Sequence, residues 1–172
     1  MIEYKEIAPD ALLNQIEEID VSEHGTVVYY WIDGEIKPVP EEWDRPRRTA
    51  ASWRTNKWTA VLGLPGVKAW GAYDRERLTG VIVYRPHLTE STAQLAALFV
   101  SRHSRRQGIS KRLFESLEKQ AIADGHSELY VSATPSESAV NFYLSCGFKP
   151  TTQVNPELFA LEPEDIHMRK TL

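Results

Sequence analysis

Apolar residues recur at the spacing of an amphipathic helix in three segments of the chain. The first covers residues 10–19, just after Pro9, and the second covers residues 47–61. The third runs from about Gly108 to Asp124. One apolar face is predicted for this third helix, formed by Ile109, Leu113, Phe114, Leu117 and Ala121.

Runs rich in β-branched and aromatic residues predict strands at residues 26–31, 67–73, 78–84, 94–100, 128–132 and 165–172. The second and third runs are separated by only four residues, so an antiparallel hairpin is expected. Residues 38–46 contain three prolines and are predicted to form a loop. After the fifth run, residues 134–137 resemble a capping box, with Pro135 at the first position of a short helix.

Composition and length narrow the class of protein. A chain of 172 residues, 42% of them hydrophobic, fits one globular domain. The 24 acidic residues outnumber the 20 basic ones, which argues against nucleic acid as a partner. The single cysteine, Cys146, predicts neither a disulfide nor a metal cluster. The sequence shows no signal peptide or membrane span, so we expect a cytoplasmic protein without a membrane partner.

A basic turn joins the strand at residues 94–100 to the long helix. Arg105 and Arg106 supply positive charge there, and the small residues Gly108 and Ser110 would let a ligand approach the backbone. The free N–H groups of a helix start favour phosphate oxygens. The turn lacks the features of a Walker A loop or a dinucleotide-binding fingerprint, so it predicts an anion site of another kind.

The spacing Arg105-x-x-Gly108-x-Ser110 resembles the phosphate-binding signature of the GNAT acetyltransferases. Further along, Tyr143-x-x-x-Gly147-Phe148 is similar to the end of that family's last helix. The resemblance covers roughly residues 67–172. It implies an α/β fold with a mixed, mostly antiparallel central sheet, helices on both faces and a splayed strand pair at the cofactor site.

By this resemblance the chain would bind acetyl-coenzyme A as acyl donor, without a metal. The pyrophosphate would lie on the turn that comprises Arg105, Arg106, Gln107, Gly108, Ile109 and Ser110. The pantetheine arm would pair with the backbone of Leu98, Phe99 and Val100 like an added strand. Ser110 and Ser136 depart from the glycine or alanine and the asparagine that are usual at their positions, but both are small and polar.

The resemblance also suggests how protons move. Tyr143 would protonate the departing thiolate, although it could instead be a packing residue. Relatives often carry a glutamate base where this chain has Gln94, and an amide cannot act as a base. Glu90, just upstream, is the candidate to act through water, with His87 and His103 as alternatives.

The predicted reaction is acetyl transfer to a primary amine of a small molecule or peptide, by direct attack in a ternary complex. Residues 1–66 would form the acceptor side of the single domain, and residues 67–172 the acetyl-coenzyme A-binding core. Most tryptophans should be core residues, with one or two lining the acceptor cleft. The alternatives are a coenzyme A-binding regulatory module with weak turnover and an interaction protein with a basic patch. A homodimer is possible by analogy with the family.

Overall fold

The computed structural model describes residues 1–172 and contains nine strands and five α-helices. The strands are β1 (Ile2–Ile7), β2 (Glu23–Ile32), β3 (Glu35–Arg45), β4 (Lys68–Asp74), β5 (Arg77–Arg85), β6 (Thr92–Val100), β7 (Glu128–Ala133), β8 (Lys149–Pro150) and β9 (Ile166–Thr171). The helices are α1 (Pro9–Gln15), α2 (Ala50–Arg54), α3 (Ile109–Ala123), α4 (Glu137–Ser145) and α5 (Pro156–Leu161). Short 3-10 helices follow α1, α2 and β6.

Seven strands form one sheet in the order β1-β4-β5-β6-β7-β9-β8. Only the β6–β7 pair is parallel, and every other pair in the sheet is antiparallel. The mixed, mostly antiparallel sheet expected from the sequence is therefore confirmed, as is the hairpin formed by β4 and β5.

Helices cover both faces of this sheet, because side chains alternate along its central strands. On β5, Ile82 and Tyr84 belong to one buried cluster together with residues of α3 and α4. Val81 and Val83 belong to a second cluster with residues of α1 and α2. All five residues of the predicted apolar face of α3 are buried, so the periodicity identified this helix correctly.

A separate antiparallel ribbon is formed by β2 and β3. The prediction of a loop at residues 38–46 is wrong, because β3 runs through most of this segment. Pro38 and Pro40 lie two residues apart on β3 and pair with Tyr29 and Val27. In a two-stranded ribbon every second N–H group faces away from the partner strand, so alternate prolines need not remove ladder hydrogen bonds.

Four further elements differ from the sequence-based expectation. The helix predicted at residues 47–61 is broken into α2 and a 3-10 helix at Lys57–Gly63. The start of α4 is capped by the Ser136 hydroxyl, which accepts from the Ala139 N–H at 3.3 Å, so residues 134–137 are not a capping box. The strand β1 and the helix α5 were not predicted. Residues 1–66 therefore contain three strands besides helices and loops.

Candidate active site

The parallel strands β6 and β7 part after a short paired segment. Their register begins at Thr92 opposite Glu128 and ends at Gln94 opposite Tyr130. Beyond this point β6 continues to Val100 and β7 to Ala133 without pairing with each other. The expected splayed strand pair is thus present. Its unpaired backbone edges can accept an extended ligand in the manner of an added strand.

A cavity of about 1840 Å³ opens at this gap. Its walls come from β6, β7, the start of α3, α4, the β2–β3 ribbon, the segment after α2 and the turn before β9. Typical small-ligand pockets have volumes of roughly 300–1,000 Å³. The cavity is therefore large enough for a long cofactor and a second substrate together.

The turn before α3 presents free backbone donors to the cavity. None of the N–H groups from Arg106 to Lys111 donates a hydrogen bond within the protein. Gly108 has a left-handed backbone with φ of 78°, and an added Cβ there would meet no atom within 4 Å. Consecutive free N–H groups at a helix start form a site for phosphate oxygens.

The side chains of the turn have different surroundings. The Arg105 guanidinium donates to the carbonyls of Val100 and Val21, at 3.3 and 3.4 Å, and lies 3.4 Å from a carboxylate oxygen of Glu23. Arg105 therefore anchors the turn to the end of β6 and to the segment that contains Val21 and Glu23. Arg106 is exposed at the cavity wall, with a left-handed φ of 62°.

The other predicted cofactor residues line the cavity with one exception, Gln107, whose amide donates to the His103 carbonyl at 3.3 Å. The Ile109 side chain is buried in the core, so this residue can offer only its backbone. Ser110 and Ser136 both reach the cavity. On β6, Leu98, Phe99 and Val100 form part of its wall.

Tyr143 lies on α4 and lines the cavity, with only 7% of its surface exposed. Its hydroxyl makes no hydrogen bond to another protein group, although its ring packs against Phe142 and Phe148. Burial raises the pKa of Tyr143, and the nearby charges of Cys146, Asp165 and Glu162 raise it further. The phenol therefore stays protonated at neutral pH and is free to donate to a ligand.

The structure does not bring Glu90 into the cavity. Glu90 is exposed in the connection before β6, whereas the phosphate-binding turn follows the opposite end of that strand. At about 3.3 Å per residue, β6 alone separates these ends by roughly 25–30 Å. His87 and His103 also lie outside the cavity lining. Gln94 is buried, accepts from Arg85 at 3.4 Å, and likewise does not reach the cavity.

The cavity wall also contains two carboxylates that sequence reasoning missed. Glu162 and Asp165 belong to the turn between α5 and β9, and both line the cavity with Lys57 and Trp58. Burial raises the pKa of Asp165 to about 7, with a further contribution from the charge of Glu162. No motif marks this turn in the sequence, because the two residues reach the site only through the pairing of β9 with β7.

No group of three or more His, Cys, Asp or Glu side chains is arranged to hold a metal ion. No helix combines the length and the apolar character needed to cross a membrane.

Comparison with known proteins adds evidence that is independent of this geometry. Residues 44–172 match the sequence model of a family described as the Acetyltransferase (GNAT) domain. Human N-acetyltransferase 8 is 38% identical over 89 residues, which cover 49% of this chain and 39% of that protein. The match therefore spans well under half the length of this relative.

Solved structures resemble the whole chain at low identity. A nourseothricin acetyltransferase superposes with a TM-score of 0.75 at 18% identity, covering 99% of this chain and 98% of its own. The PaiA N-acetyltransferase of Thermoplasma acidophilum, solved with coenzyme A, gives a TM-score of 0.66 at 18% identity, covering 100% and 99% of the two chains. At this identity the likeness establishes the fold alone.

Proposed function

The chain belongs to the GNAT acetyltransferase family, and we propose that it transfers an acetyl group from acetyl-coenzyme A to a primary amine. One observation carries this proposal: a single cavity holds both a row of free N–H groups at the start of α3 and the unpaired edge of β6. The first feature suits a pyrophosphate and the second suits a pantetheine arm, so the two together fit coenzyme A.

Donor binding would use backbone groups more than side chains. The pyrophosphate oxygens would accept from the N–H groups between Arg106 and Lys111, with the helix dipole of α3 adding to the attraction. The pantetheine amides would pair with β6 near Leu98 to Val100. Because Arg105 is engaged by Glu23 and two carbonyls, its main contribution would be to hold the turn in shape.

The reaction would proceed by direct attack of the amine nitrogen on the thioester carbonyl carbon. A backbone N–H near Val100 would stabilise the negative charge that develops on the carbonyl oxygen. When the carbon–sulfur bond breaks, the unpartnered Tyr143 hydroxyl would donate to the thiolate. Its position in the cavity supports this role over simple packing.

An acetyl-cysteine intermediate is the competing route, since Cys146 also lines the cavity. Burial raises the pKa of the Cys146 thiol, which keeps it protonated at neutral pH. Only the thiolate is a strong nucleophile. The local environment therefore favours a ternary complex over transfer through Cys146.

The acceptor would be a small-molecule or peptide amine that binds against the part of the cavity wall formed by Lys57, Trp58, Glu162 and Asp165. Lys57 and Trp58 come from the first 66 residues, and the two carboxylates come from the last part of the chain. Both parts of the single domain would thus contribute to acceptor binding.

Thiol release tests this proposal. The protein is mixed with acetyl-coenzyme A and a panel of polyamines, amino acids, aminoglycosides and peptide N-termini, and free thiol is measured with time. We expect amine-dependent release for at least one class. Tight coenzyme A binding without turnover on any amine would instead indicate a regulatory module, and no binding would overturn the proposal.

A further inference from the structure

The turn between α5 and β9 places a carboxylate beside the gap between the splayed strands. Asp165 directly precedes Ile166, which pairs with Ala133 at the end of β7. This end of β7 is unpaired on its β6 side. Asp165 therefore lies at the edge of the gap, and its side chain contributes to the cavity wall.

The turn is held by hydrogen bonds, so the carboxylate has a defined position. The Glu162 carbonyl accepts from the Asp165 N–H at 3.2 Å and from His167 Nε2 at 3.0 Å. The Leu161 carbonyl accepts from Lys57 Nζ at 2.5 Å. Neither Asp165 nor Glu162 forms a salt bridge. Both of these carboxylates therefore lack a cationic partner in direct contact.

An unpartnered hydroxyl in the same cavity points independently to a ligand. The Tyr143 hydroxyl has no hydrogen-bond partner, and the residue lines the cavity with 7% of its surface exposed. Buried polar groups are normally hydrogen-bonded, so those left unpaired in a cavity mark positions where a substrate can bind.

We propose that Asp165 is the general base that accepts a proton from the ammonium group of a cationic acceptor amine. The inference rests on the proposed acetyl transfer and adds to it the base, which the sequence left unassigned. Glu162 contributes negative charge that attracts the same ammonium group. The charges of both carboxylates also raise the pKa of Tyr143, so its hydroxyl lies near them. A base and an acid therefore flank one reaction site.

The proton balance is complete with these groups. The acceptor ammonium gives one proton to the Asp165 carboxylate, and the free amine forms a carbon–nitrogen bond with the thioester carbon. Collapse of the tetrahedral adduct breaks the carbon–sulfur bond, and the thiolate takes the Tyr143 proton. The nitrogen loses its second proton through water to the Tyr143 oxygen, and Asp165 later releases its own to solvent. The products are the acetamide, coenzyme A thiol and one proton.

The surroundings of Asp165 make it a stronger base than an ordinary aspartate. Its pKa is raised to about 7 by burial first and then by the charges of Glu162 and Glu164, while Lys57 acts in the opposite direction. An alkylammonium has a pKa near ~10.4, so proton transfer to this carboxylate is uphill by roughly three pKa units instead of about six. At neutral pH an appreciable fraction is still ionised and able to accept the proton.

The test compares Asp165→Asn with Asp74→Asn, which makes the same substitution at an exposed aspartate outside the cavity. Initial rates are measured with an amine acceptor from pH 5.5 to 9, and acetyl-coenzyme A affinity is measured by calorimetry. For Asp165→Asn we expect kcat to fall by about 100-fold or more and the rise of kcat/KM near pH 7 to disappear, with donor affinity unchanged. Asp74→Asn should retain kcat within about 3-fold and keep the rise.

The outcomes separate this inference from the proposed function. If the unmodified protein acetylates amines but Asp165→Asn keeps its kcat and its pH profile, Asp165 is not the base, while the proposed function stands. A raised KM at unchanged kcat would also overturn the base role and leave only attraction of the ammonium. If the unmodified protein acetylates no amine, the proposed function itself fails. Asp165→Glu restores a carboxylate and should recover part of the rate; no recovery in a folded protein would contradict the proposal.

Discussion

Replacement of Gly108 by aspartate tests whether the start of α3 binds the pyrophosphate. The new carboxylate would lie among the free N–H groups from Arg106 to Lys111. Two unit charges about 5 Å apart repel by about 3 kcal/mol at an effective dielectric constant near 20. That energy corresponds to roughly a 100-fold loss of affinity for acetyl-coenzyme A, and competition for the same N–H groups adds to it.

The protein should remain folded, because an added Cβ at position 108 meets no atom within 4 Å. The left-handed backbone, with φ of 78°, would destabilise a side chain by about 1–2 kcal/mol. A negative charge at a helix start offsets part of this penalty. Gly108→Ala is the matched control, since it carries the same backbone strain without the charge.

Calorimetry with acetyl-coenzyme A and thermal unfolding of both variants provide the measurement. We expect Gly108→Ala to bind within about 5-fold of the unmodified protein, and Gly108→Asp to bind at least about 100-fold more weakly. If Gly108→Asp is folded and binds with unchanged affinity, the phosphates do not lie at the start of α3, and the assignment of the site is wrong.

Three further predictions follow from the same geometry. Tyr143→Phe should lower kcat by about 10- to 10⁴-fold with little change in unfolding temperature, because the hydroxyl makes no hydrogen bond within the protein; full kcat when chemistry is rate-limiting would make Tyr143 a packing residue. Glu90→Gln should change kcat/KM by far less than the ~100-fold typical of a lost general base, since Glu90 is exposed outside the cavity; a larger loss would assign the base to Glu90. The third concerns stability: because the pKa of Asp165 rises from 3.8 to about 7 on folding, its ionisation destabilises the folded state as pH increases between these values. Asp165→Asn should therefore gain up to about 4 kcal/mol relative to the unmodified protein between pH 4 and pH 8 in denaturant titrations, and a constant difference would refute the raised pKa.

The sequence predicted those parts of the fold whose signal is local. The apolar face of α3 and the β4–β5 hairpin have clear periodicity, and both are confirmed. The prolines of β3 predicted a loop, but the edge of a two-stranded ribbon tolerates proline at alternate positions. The N-terminal strand β1 is absent from the sequence-based expectation because its apolar and charged residues alternate only from Ile2 to Lys5 before Glu6 breaks the pattern. Its pairing with β4 stabilises this edge strand.

The candidate site likewise has one part that a local sequence motif predicts and one part that only the folded chain brings together. The turn at Arg105 to Ser110 has a contiguous motif, and the structure brings nearly all of it to the cavity. Asp165 and Trp58 are separated by about one hundred residues and carry no common pattern, so only the packing of the folded chain brings them to one cavity. Glu90 is near Gln94 in sequence, but it precedes β6 and lies outside the cavity that the other end of this strand lines.

Transfer of an isotopically labelled acetyl group tests the central claim most directly. The protein is incubated with labelled acetyl-coenzyme A, first alone and then with the amine that gives the fastest thiol release, and both the amine and the protein are weighed by mass spectrometry. We predict that the label appears on the amine nitrogen and that the protein carries none at any time, as direct attack in a ternary complex requires. A label that reaches no amine would contradict acetyl transfer, and a label that accumulates on Cys146 and then moves to the amine would contradict the direct mechanism.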